Sequence, residues 1–137
     1  MNIVLFDMDG TLTEPRQKIK NSMVTALISL QQQGYEIGIV SGSDMNYIIE
    51  QCDLLFDVNN FDFTKVHFLP CNGTKYYKFD RLVTRSAVYE NDMIDEIGYD
   101  TYKKIINFCL AAQQKIIKEN DCPLTARFFD YRGTLLN

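Results

Sequence analysis

The stretch FDMDGT, residues 6–11, directly follows the apolar run Ile3 to Leu5. A short run of β-forming apolar residues predicts a strand that is buried on both faces. Two carboxylates at the end of such a strand lose hydration and repel each other, so they need a cation or hydrogen-bond donors nearby. A divalent cation meets both needs, and a site with only oxygen ligands favours Mg²⁺. Asp7 and Asp9 are therefore candidate metal ligands.

The same two acids also suit phosphoryl transfer. Asp7 could attack a phosphoryl group as a nucleophile, while Asp9 handles the proton of the leaving or attacking hydroxyl. The competing interpretation is an Asp-x-Asp-Gly turn that only caps the strand and the next helix. A calcium-binding loop is not favoured, because the remaining acids of an EF-hand do not follow.

Composition limits the classes of function. The chain has 137 residues, of which 46% are hydrophobic, which is enough for a sizeable core. A net charge of -4 argues against a nucleic-acid or anionic-membrane surface. The sequence shows neither a signal peptide nor a membrane span, so we expect a cytoplasmic protein. The cysteines have no CxxC spacing and are predicted to be reduced packing thiols, namely Cys52, Cys71, Cys109 and Cys122.

Strand and helix signals alternate over the first seventy residues. An amphipathic helix is predicted over 17–33, followed by a buried strand over 35–40, a helix capped by Ser43 or Asp44, and a strand over 66–69. This alternation predicts βαβ units with a parallel sheet. Ligands bind at the carboxyl ends of such strands. The polar residues predicted to lie there are Asp7, Asp9, Ser41, Ser43 and Asn72.

Beyond Asn72 the alternation stops. The sequence predicts a hairpin over 75–85 with its turn at 79–81, and a long helix over 101–118. A strand over 124–131 is then predicted to turn at Arg132-Gly133 into a final short strand. We therefore expect two domains, residues 1–75 and 76–137, the second of which is α+β.

Two other polar features have ordinary structural explanations. His67 is the only histidine and lies inside a predicted buried strand, so we expect a packed residue rather than a base. Four acids could be imagined as a metal cluster, but they lie near the start of a helix, where carboxylates ordinarily complement the helix dipole: Glu90, Asp92, Asp95 and Glu96.

The longer stretch LFDMDGTLT, residues 5–13, resembles the first motif of the haloacid dehalogenase superfamily of phosphotransferases. The following EPRQKI makes the chain similar to eukaryotic-type phosphomannomutases in particular, and the similarity continues through GIVSGSD, PCNGT, IINFCLA and FFDYRGTLLN. The resemblance implies a Rossmann-like α/β core with a parallel sheet, and an α+β cap with antiparallel strands. It also implies an isomerase of mannose metabolism that uses Mg²⁺. Such an enzyme interconverts hexose 6-phosphate and hexose 1-phosphate, of mannose or glucose, through a hexose 1,6-bisphosphate.

The resemblance assigns roles to individual residues. Asp7 would be the aspartyl-phosphate nucleophile and a Mg²⁺ ligand, and Asp9 the general acid/base, whose main-chain carbonyl also binds the metal. Ser41 or Ser43 would hold the transferring phosphoryl group, with Ser43 favoured. Arg16 would contact the phosphate or sugar of the substrate. The alternatives are helix capping for the serines and a solvated first-turn arginine for Arg16.

Two further residues match family motifs less closely. Asn72 lies in CNG, where the family has ENG, so Cys71 replaces the usual acid. Arg132 of DYRGT stands where the cap arginine of the mutases binds the sugar phosphate. A plain hairpin-turn arginine is the alternative for Arg132. The cap is also a candidate surface for a homodimer.

The chain departs from the family in one respect. The superfamily also uses a later lysine and a later acidic motif, and neither is visible in this sequence. We therefore expect either a fragment or a natural truncation, with the first strand at an open sheet edge and the 137-residue chain inactive alone. Two alternative functions remain: a sugar-phosphate phosphatase on the same core, and a non-catalytic homologue that binds phosphosugars or dimerises.

Overall fold

The computed structural model describes residues 2–121, 129–133 and 136. These residues form two compact units, one up to Glu90 and the other from Asn91 onward. The strands are β1 Asn2–Asp7, β2 Tyr35–Val40, β3 Val66–Leu69, β4 Lys75–Phe79 and β5 Arg85–Glu90. The helices are α1 Asn21–Gln32, α2 Met45–Gln51, α3 Met93–Ile97 and α4 Tyr99–Glu119. Single 3₁₀ turns span Asp53–Leu55, Phe63–Lys65 and Cys71–Gly73.

The first unit is built on one mixed sheet with the strand order β1-β2-β3-β4-β5. β1, β2 and β3 are parallel, and the antiparallel hairpin of β4 and β5 extends the sheet beyond β3. β2 and β3 have the predicted bounds, since each is a short run rich in apolar and β-forming residues. The predicted α/β class is confirmed.

The core lies on one face of the sheet. Ile37 and Ile39 of β2 and Phe68 of β3 are completely buried there, together with Leu27 of α1 and Ile48 of α2. Burying each such side chain contributes roughly 1.5–3 kcal/mol. This packing fixes both helices against the sheet and so fixes the loops at its carboxyl edge.

The prediction that the first strand is buried on both faces is wrong. β1 is an edge strand that pairs only with β2 among the described residues, as expected for this chain taken alone. Its outer face leaves Ile3 41% and Leu5 59% exposed. Leu5 lies over Gly38 of β2, where an added Cβ would meet Leu5 Cδ2 at 2.2 Å.

The first helix begins later than predicted, at Asn21 rather than Gln17. Arg16 has a φ of 58°, and Lys20 is extended, so the backbone is not helical before Asn21. Ile19 is nevertheless 2% exposed, because its extended segment packs on the core and its amide donates to the Gln51 carbonyl. The apolar spacing therefore predicted burial correctly but not helical backbone.

The hairpin is present, but its turn differs from the prediction. The loop spans residues 80–84, and the second strand continues to Glu90. Asp80 Oδ1 accepts hydrogen bonds from the amides of Leu82 and Thr84, which explains how the loop closes without a glycine. The domain boundary predicted at residues 75 and 76 stays a prediction.

In the second unit, α4 covers the predicted long helix and α3 was not predicted. Asp92 caps α3 by accepting from the Ile94 amide, an ordinary use of an acid at a helix start. Tyr131 and Leu136 form an antiparallel bridge on either side of the predicted turn. Cys122 and most of the strand predicted over 124–131 lie outside the described residues.

The described part of the chain bears on disulfide bonds and on membrane-spanning helices. Cys52, Cys71 and Cys109 form no disulfide bond there. None of the helices in residues 2–121 is long and apolar enough to cross a membrane.

Candidate functional site

Three loops meet at the carboxyl edge of the parallel strands. The first loop, residues 8–13, follows β1; the second loop, residues 41–44, follows β2; and the third loop, residues 70–74, follows β3. Because the three strands are adjacent and parallel, their loops lie side by side. The polar residues predicted to lie at this edge do lie there.

The first loop presents both acids to solvent. Met8 and Leu12 are buried at 0% and 3% exposure, which anchors the loop on the core. Its main chain closes on itself, with the Gly10 amide donating to the Thr13 carbonyl over 2.7 Å. Asp7 and Asp9 are exposed, and the Asp7 carboxylate accepts no hydrogen bond from the described residues. An exposed, unpaired carboxylate at a strand end is accessible to a ligand.

Asp9 is held on one side only. Its Oδ1 atom accepts a 2.9 Å hydrogen bond from the Tyr47 hydroxyl and a 3.1 Å hydrogen bond from the Arg16 amide. No other described residue donates to its carboxylate, so Oδ2 is open. The two acids therefore differ in their surroundings, which is the requirement for giving them different chemical roles.

The second loop gives its two serines different environments. Ser41 is 3% exposed, and its hydroxyl accepts from the Ser43 amide over 3.0 Å. Ser43 is half-buried, and its hydroxyl makes no hydrogen bond within the described part of the chain. Asp44 caps α2 by accepting from the Tyr47 amide over 2.9 Å, so neither serine is the cap. Ser43 is thus the serine whose hydroxyl is available to a ligand.

The third loop is tied to the second by main-chain hydrogen bonds. The Cys71 amide donates to the Ser43 carbonyl over 2.9 Å, and the Asn72 amide donates to the Ser41 carbonyl over 2.8 Å. Cys71 and Asn72 have φ values of 52° and 57°, in the left-handed region that non-glycine residues rarely adopt. Asn72 is exposed at the edge, and its Oδ1 would lie 3.2 Å from a Cβ added to Gly42.

The two predicted substrate arginines lie in different units. Arg16 is exposed beside the first loop, and its positive charge acts on the nearby Tyr47 hydroxyl. Arg132 belongs to the second unit, where its Nε donates to Asp130 Oδ2 over 2.8 Å. Within the second unit, the Met93 amide donates to the carbonyl of Gly133, the residue after Arg132.

His67 lies in the interior of β3 and not in any of the three loops. Its Nε2 is 2.5 Å from Glu36 Oε2, and its Nδ1 is 2.7 Å from the Tyr76 hydroxyl. The contact with His67 holds the pKa of the Glu36 carboxyl below its usual value. His67 is 9% exposed, so the prediction of a packed histidine is confirmed.

The donor set at the edge is compatible with Mg²⁺. The groups that could hold the ion are the Asp7 carboxylate and oxygens of Asp9, all of them hard ligands. Mg²⁺ typically takes one or two carboxylates and keeps several waters, so it does not need a dense cluster. Groups of three or more acidic, histidine or cysteine side chains in metal-binding arrangement are absent from residues 2–121 and the short described segments after them.

Sequence reasoning missed Tyr47. Its hydroxyl meets Asp9 from 38 positions away in the chain, so no local spacing contains the contact. A signal was nevertheless present, because a helix that follows a parallel strand begins at the carboxyl edge. Tyr47 lies three residues after the cap Asp44, in the first turn of that helix.

The chain is similar to known families and proteins over nearly its whole length. A family model described as haloacid dehalogenase-like hydrolase matches residues 4–135. The chain is 33% identical over 137 residues to a phosphomannomutase from Encephalitozoon cuniculi, covering 98% of this chain and 47% of that protein. It is 35% identical over 136 residues to phosphomannomutase 2 from Dictyostelium discoideum, covering 98% and 49% respectively. The chain therefore spans about half the length of the curated relatives it matches.

Solved structures show the same fold at lower identity. The structure of a Plasmodium falciparum IMP-nucleotidase matches 99% of this chain and 38% of that chain, with a TM-score of 0.69 and 16% identity. A haloacid dehalogenase-like hydrolase from B. subtilis matches 82% of this chain and 34% of that chain, with a TM-score of 0.61 and 15% identity.

Proposed function

The chain belongs to the haloacid dehalogenase-like hydrolase family. On this basis we propose that it carries the catalytic nucleophile of a hexose-phosphate phosphotransferase, with Asp7 as the residue that accepts the phosphoryl group. The proposed reaction is that of a phosphomannomutase, which interconverts hexose 6-phosphate and hexose 1-phosphate through a hexose 1,6-bisphosphate. The relatives named phosphomannomutase support this choice of reaction and substrate.

The observation that carries the proposal is the contrast between the two acids. Asp7 is exposed and its carboxylate is unpaired among the described residues, as a nucleophile must be to reach a phosphorus atom. Asp9 is fixed through Oδ1 and open at Oδ2, which suits a group that gives and takes a proton. A turn that merely capped the strand would not require this difference.

In the first half of the reaction, a carboxylate oxygen of Asp7 attacks the phosphorus of the bisphosphate. The bond between phosphorus and the sugar oxygen breaks, and Asp9 delivers a proton from Oδ2 to that oxygen. The phosphoryl group is now an acyl phosphate on Asp7, and the sugar leaves as a monophosphate. Ser43, whose hydroxyl is available in the second loop, donates a hydrogen bond to a phosphoryl oxygen.

In the second half, a hydroxyl of the bound hexose monophosphate attacks the phosphorus on Asp7. Asp9 takes up the proton of that hydroxyl, and the acyl phosphate bond breaks to restore the free carboxylate. Asn72 and Arg16 bind and orient the oxygens of the substrate. A Mg²⁺ ion held by Asp7 and the Asp9 main-chain carbonyl would neutralise negative charge on the transferring group. We also infer a cytoplasmic location, where sugar phosphates are available.

The experiment that tests the proposal is chemical trapping of the acyl phosphate. The chain alone, which we expect to be inactive, and a version extended to include downstream sequence are each incubated with Mg²⁺ and hexose 1,6-bisphosphate. Both are then reduced with borohydride, which converts an aspartyl phosphate to homoserine. Peptide mass spectrometry of the extended version should find homoserine at residue 7 and nowhere else. Asp7→Asn is the matched control, since the amide keeps the size of the side chain but is not a competent nucleophile.

The same incubation separates a mutase from a phosphatase. A mutase returns the phosphoryl group to a sugar hydroxyl, so little inorganic phosphate accumulates, whereas a phosphatase releases one phosphate per acyl phosphate hydrolysed. Homoserine at another acid, or none at residue 7, would contradict the assignment of the nucleophile.

A further inference from the structure

The Asp9 carboxylate is asymmetrically held, because both of its donors bind the same oxygen. The Tyr47 hydroxyl lies 2.9 Å from Oδ1, and the Arg16 amide lies 3.1 Å from it. Hydrogen bonds to an ionised acceptor are among the stronger ones in proteins and fix its orientation. Oδ2 receives no donor from the residues that the structure describes. The pair of donors therefore decides which of the two oxygens is open.

Tyr47 is itself held in place by the second loop and the core. Asp44 accepts a hydrogen bond from the Tyr47 amide over 2.9 Å at the start of α2. The neighbouring side chains Met45 and Ile48 are 5% and 0% exposed and attach this short helix to the core.

The second donor has an unusual backbone. Arg16 has a φ of 58°, which is uncommon for a residue with a side chain. Such a conformation persists where the surrounding structure imposes it, and it is enriched at functional sites. Here it aims the Arg16 amide at Asp9 Oδ1. Two independent parts of the chain, one before α1 and one in α2, thus converge on a single carboxylate oxygen.

We propose that Tyr47 is a positioning residue that holds Asp9 through Oδ1 and reserves Oδ2 for the transferred proton. The inference rests on the proposed function of Asp9 as the acid/base and adds a residue through which that acid acts. It also links the second loop to the first, since Asp44 fixes Tyr47 and Tyr47 fixes Asp9.

The alternative is that the hydrogen bond only helps to attach α2 to the first loop. In that case the loss of the bond would lower the stability of the fold, but the orientation of the Asp9 carboxylate would not matter for proton transfer. The resonance of Asp9 and the double-mutant cycle establish the bond in solution, and the kinetic measurement then separates the two accounts.

The first measurement is the side-chain carboxyl ¹³C resonance of Asp9, assigned by its loss in Asp9→Asn. Tyr47→Phe removes only the donor and should move this resonance, because the electronic environment of the carboxylate changes. The matched control is Tyr35→Phe, whose hydroxyl makes no hydrogen bond within the described residues and which lies at the opposite end of β2. Tyr35→Phe should leave the resonance unchanged.

The second measurement is a double-mutant cycle on the folding equilibrium constant, which needs no catalytic activity. Tyr47→Phe should lower the constant about fivefold, the scale of one exposed hydrogen bond to a charged group. Asp9→Ala should lower it further, because it also removes the acceptor of the Arg16 amide. Since the bond from Tyr47 is lost in both variants, the double variant should fall no further than Asp9→Ala alone. Tyr35→Phe combined with Asp9→Ala should be multiplicative.

The third measurement is kinetic and is made on the phosphoryl transfer to Asp7 in the version of the chain extended to include downstream sequence. Tyr47→Phe should lower kcat about tenfold for a sugar phosphate, with KM changed less than about twofold, because positioning matters in the transition state. An equal loss in kcat and rise in KM would indicate a structural role.

The outcomes separate this inference from the proposed function. An Asp9 resonance that does not move in Tyr47→Phe, or multiplicative effects in the cycle, would overturn the positioning role even if Asp7 is phosphorylated. A moved resonance and a coupled cycle without acyl phosphate at Asp7 would overturn the proposed function and leave the contact between Tyr47 and Asp9 established.

Discussion

The Asn72 amide donates a 2.8 Å hydrogen bond to the Ser41 carbonyl, which joins the loops after β3 and β2. A second bond, from the Cys71 amide to the Ser43 carbonyl, runs beside it. To make these bonds the chain takes up three successive positive φ values, 52° at Cys71, 57° at Asn72 and 78° at Gly73. The geometry of the second loop, which carries Ser43, therefore depends on a strained segment of the third loop.

This dependence predicts the effect of Gly73→Ala. Nothing lies within 4 Å of a Cβ added there, so the cost comes from the backbone conformation alone and should be about 1–2 kcal/mol. Urea denaturation measures the loss of stability. Gly34→Ala is the comparison, because Gly34 also has a positive φ, of 87°, and nothing lies within 4 Å of an added Cβ, so it should lose a similar amount of stability. If Gly73→Ala is as stable as the parent protein, the left-handed conformation at residue 73 is not required.

The fold was predictable where a signal was local and continuous. β2 and β3 are short runs rich in apolar, β-forming residues, and their predicted bounds match the structure. The start of α1 was predicted too early because Ile19 is buried in an extended segment, and burial alone does not distinguish that from a helical turn. α3 has five residues, too few for a periodic signal.

The candidate site was predictable only in part for the same reason. The acids and serines follow directly from strand ends, so the parallel topology places them together. The contact from Tyr47 to Asp9 depends on how α2 packs, and the bonds between the second and third loops depend on main-chain geometry. Neither is encoded in the identity of a neighbouring residue. The exposure of β1 depends on which strands flank it, which its own sequence does not specify.

The Glu36 and His67 pair predicts a pH dependence of stability. The pKa of Glu36 in the folded protein is lowered from 4.5, mainly by the hydrogen bond with His67. A carboxyl whose pKa is lower in the folded state adds stability above its unfolded pKa, and this is lost as the pH falls through the folded value. The free energy of unfolding should therefore fall below about pH 4.5, and the fall should be shallower in Glu36→Gln.

The measurement is urea denaturation at a series of acidic pH values. Glu50→Gln is a suitable control, since Glu50 is an exposed residue of α2 with no salt bridge in the described part of the chain. Equal slopes for Glu36→Gln and the parent protein would mean that the contact with His67 does not favour the charged form of Glu36.

Arg132 supplies a prediction about substrate affinity. Arg132→Ala should weaken sugar-phosphate binding by about 1.5–3 kcal/mol, the value of one hydrogen bond to a charged group, and should leave the protein folded. Isothermal titration with hexose 1-phosphate measures the change. Asp130→Asn is the control, because it disrupts the 2.8 Å ion pair with Arg132 but keeps the guanidinium. Unchanged affinity in Arg132→Ala would make it a turn residue only.

The last prediction concerns the separate roles of the two acids. Asp9→Asn should slow phosphoryl transfer from a sugar phosphate by about 10²- to 10⁴-fold, because the departing sugar oxygen then lacks its proton donor. With p-nitrophenyl phosphate the loss should be much smaller, since p-nitrophenolate leaves as a stable anion. Asp7→Asn should abolish transfer from both compounds, because the first bond to phosphorus is no longer formed. Rapid-quench measurement of acyl phosphate at residue 7 gives the rates. If Asp9→Asn slows phosphoryl transfer from both compounds equally, Asp9 does not act by moving a proton. Its fixed carboxylate would then only stabilise the conformation of the first loop.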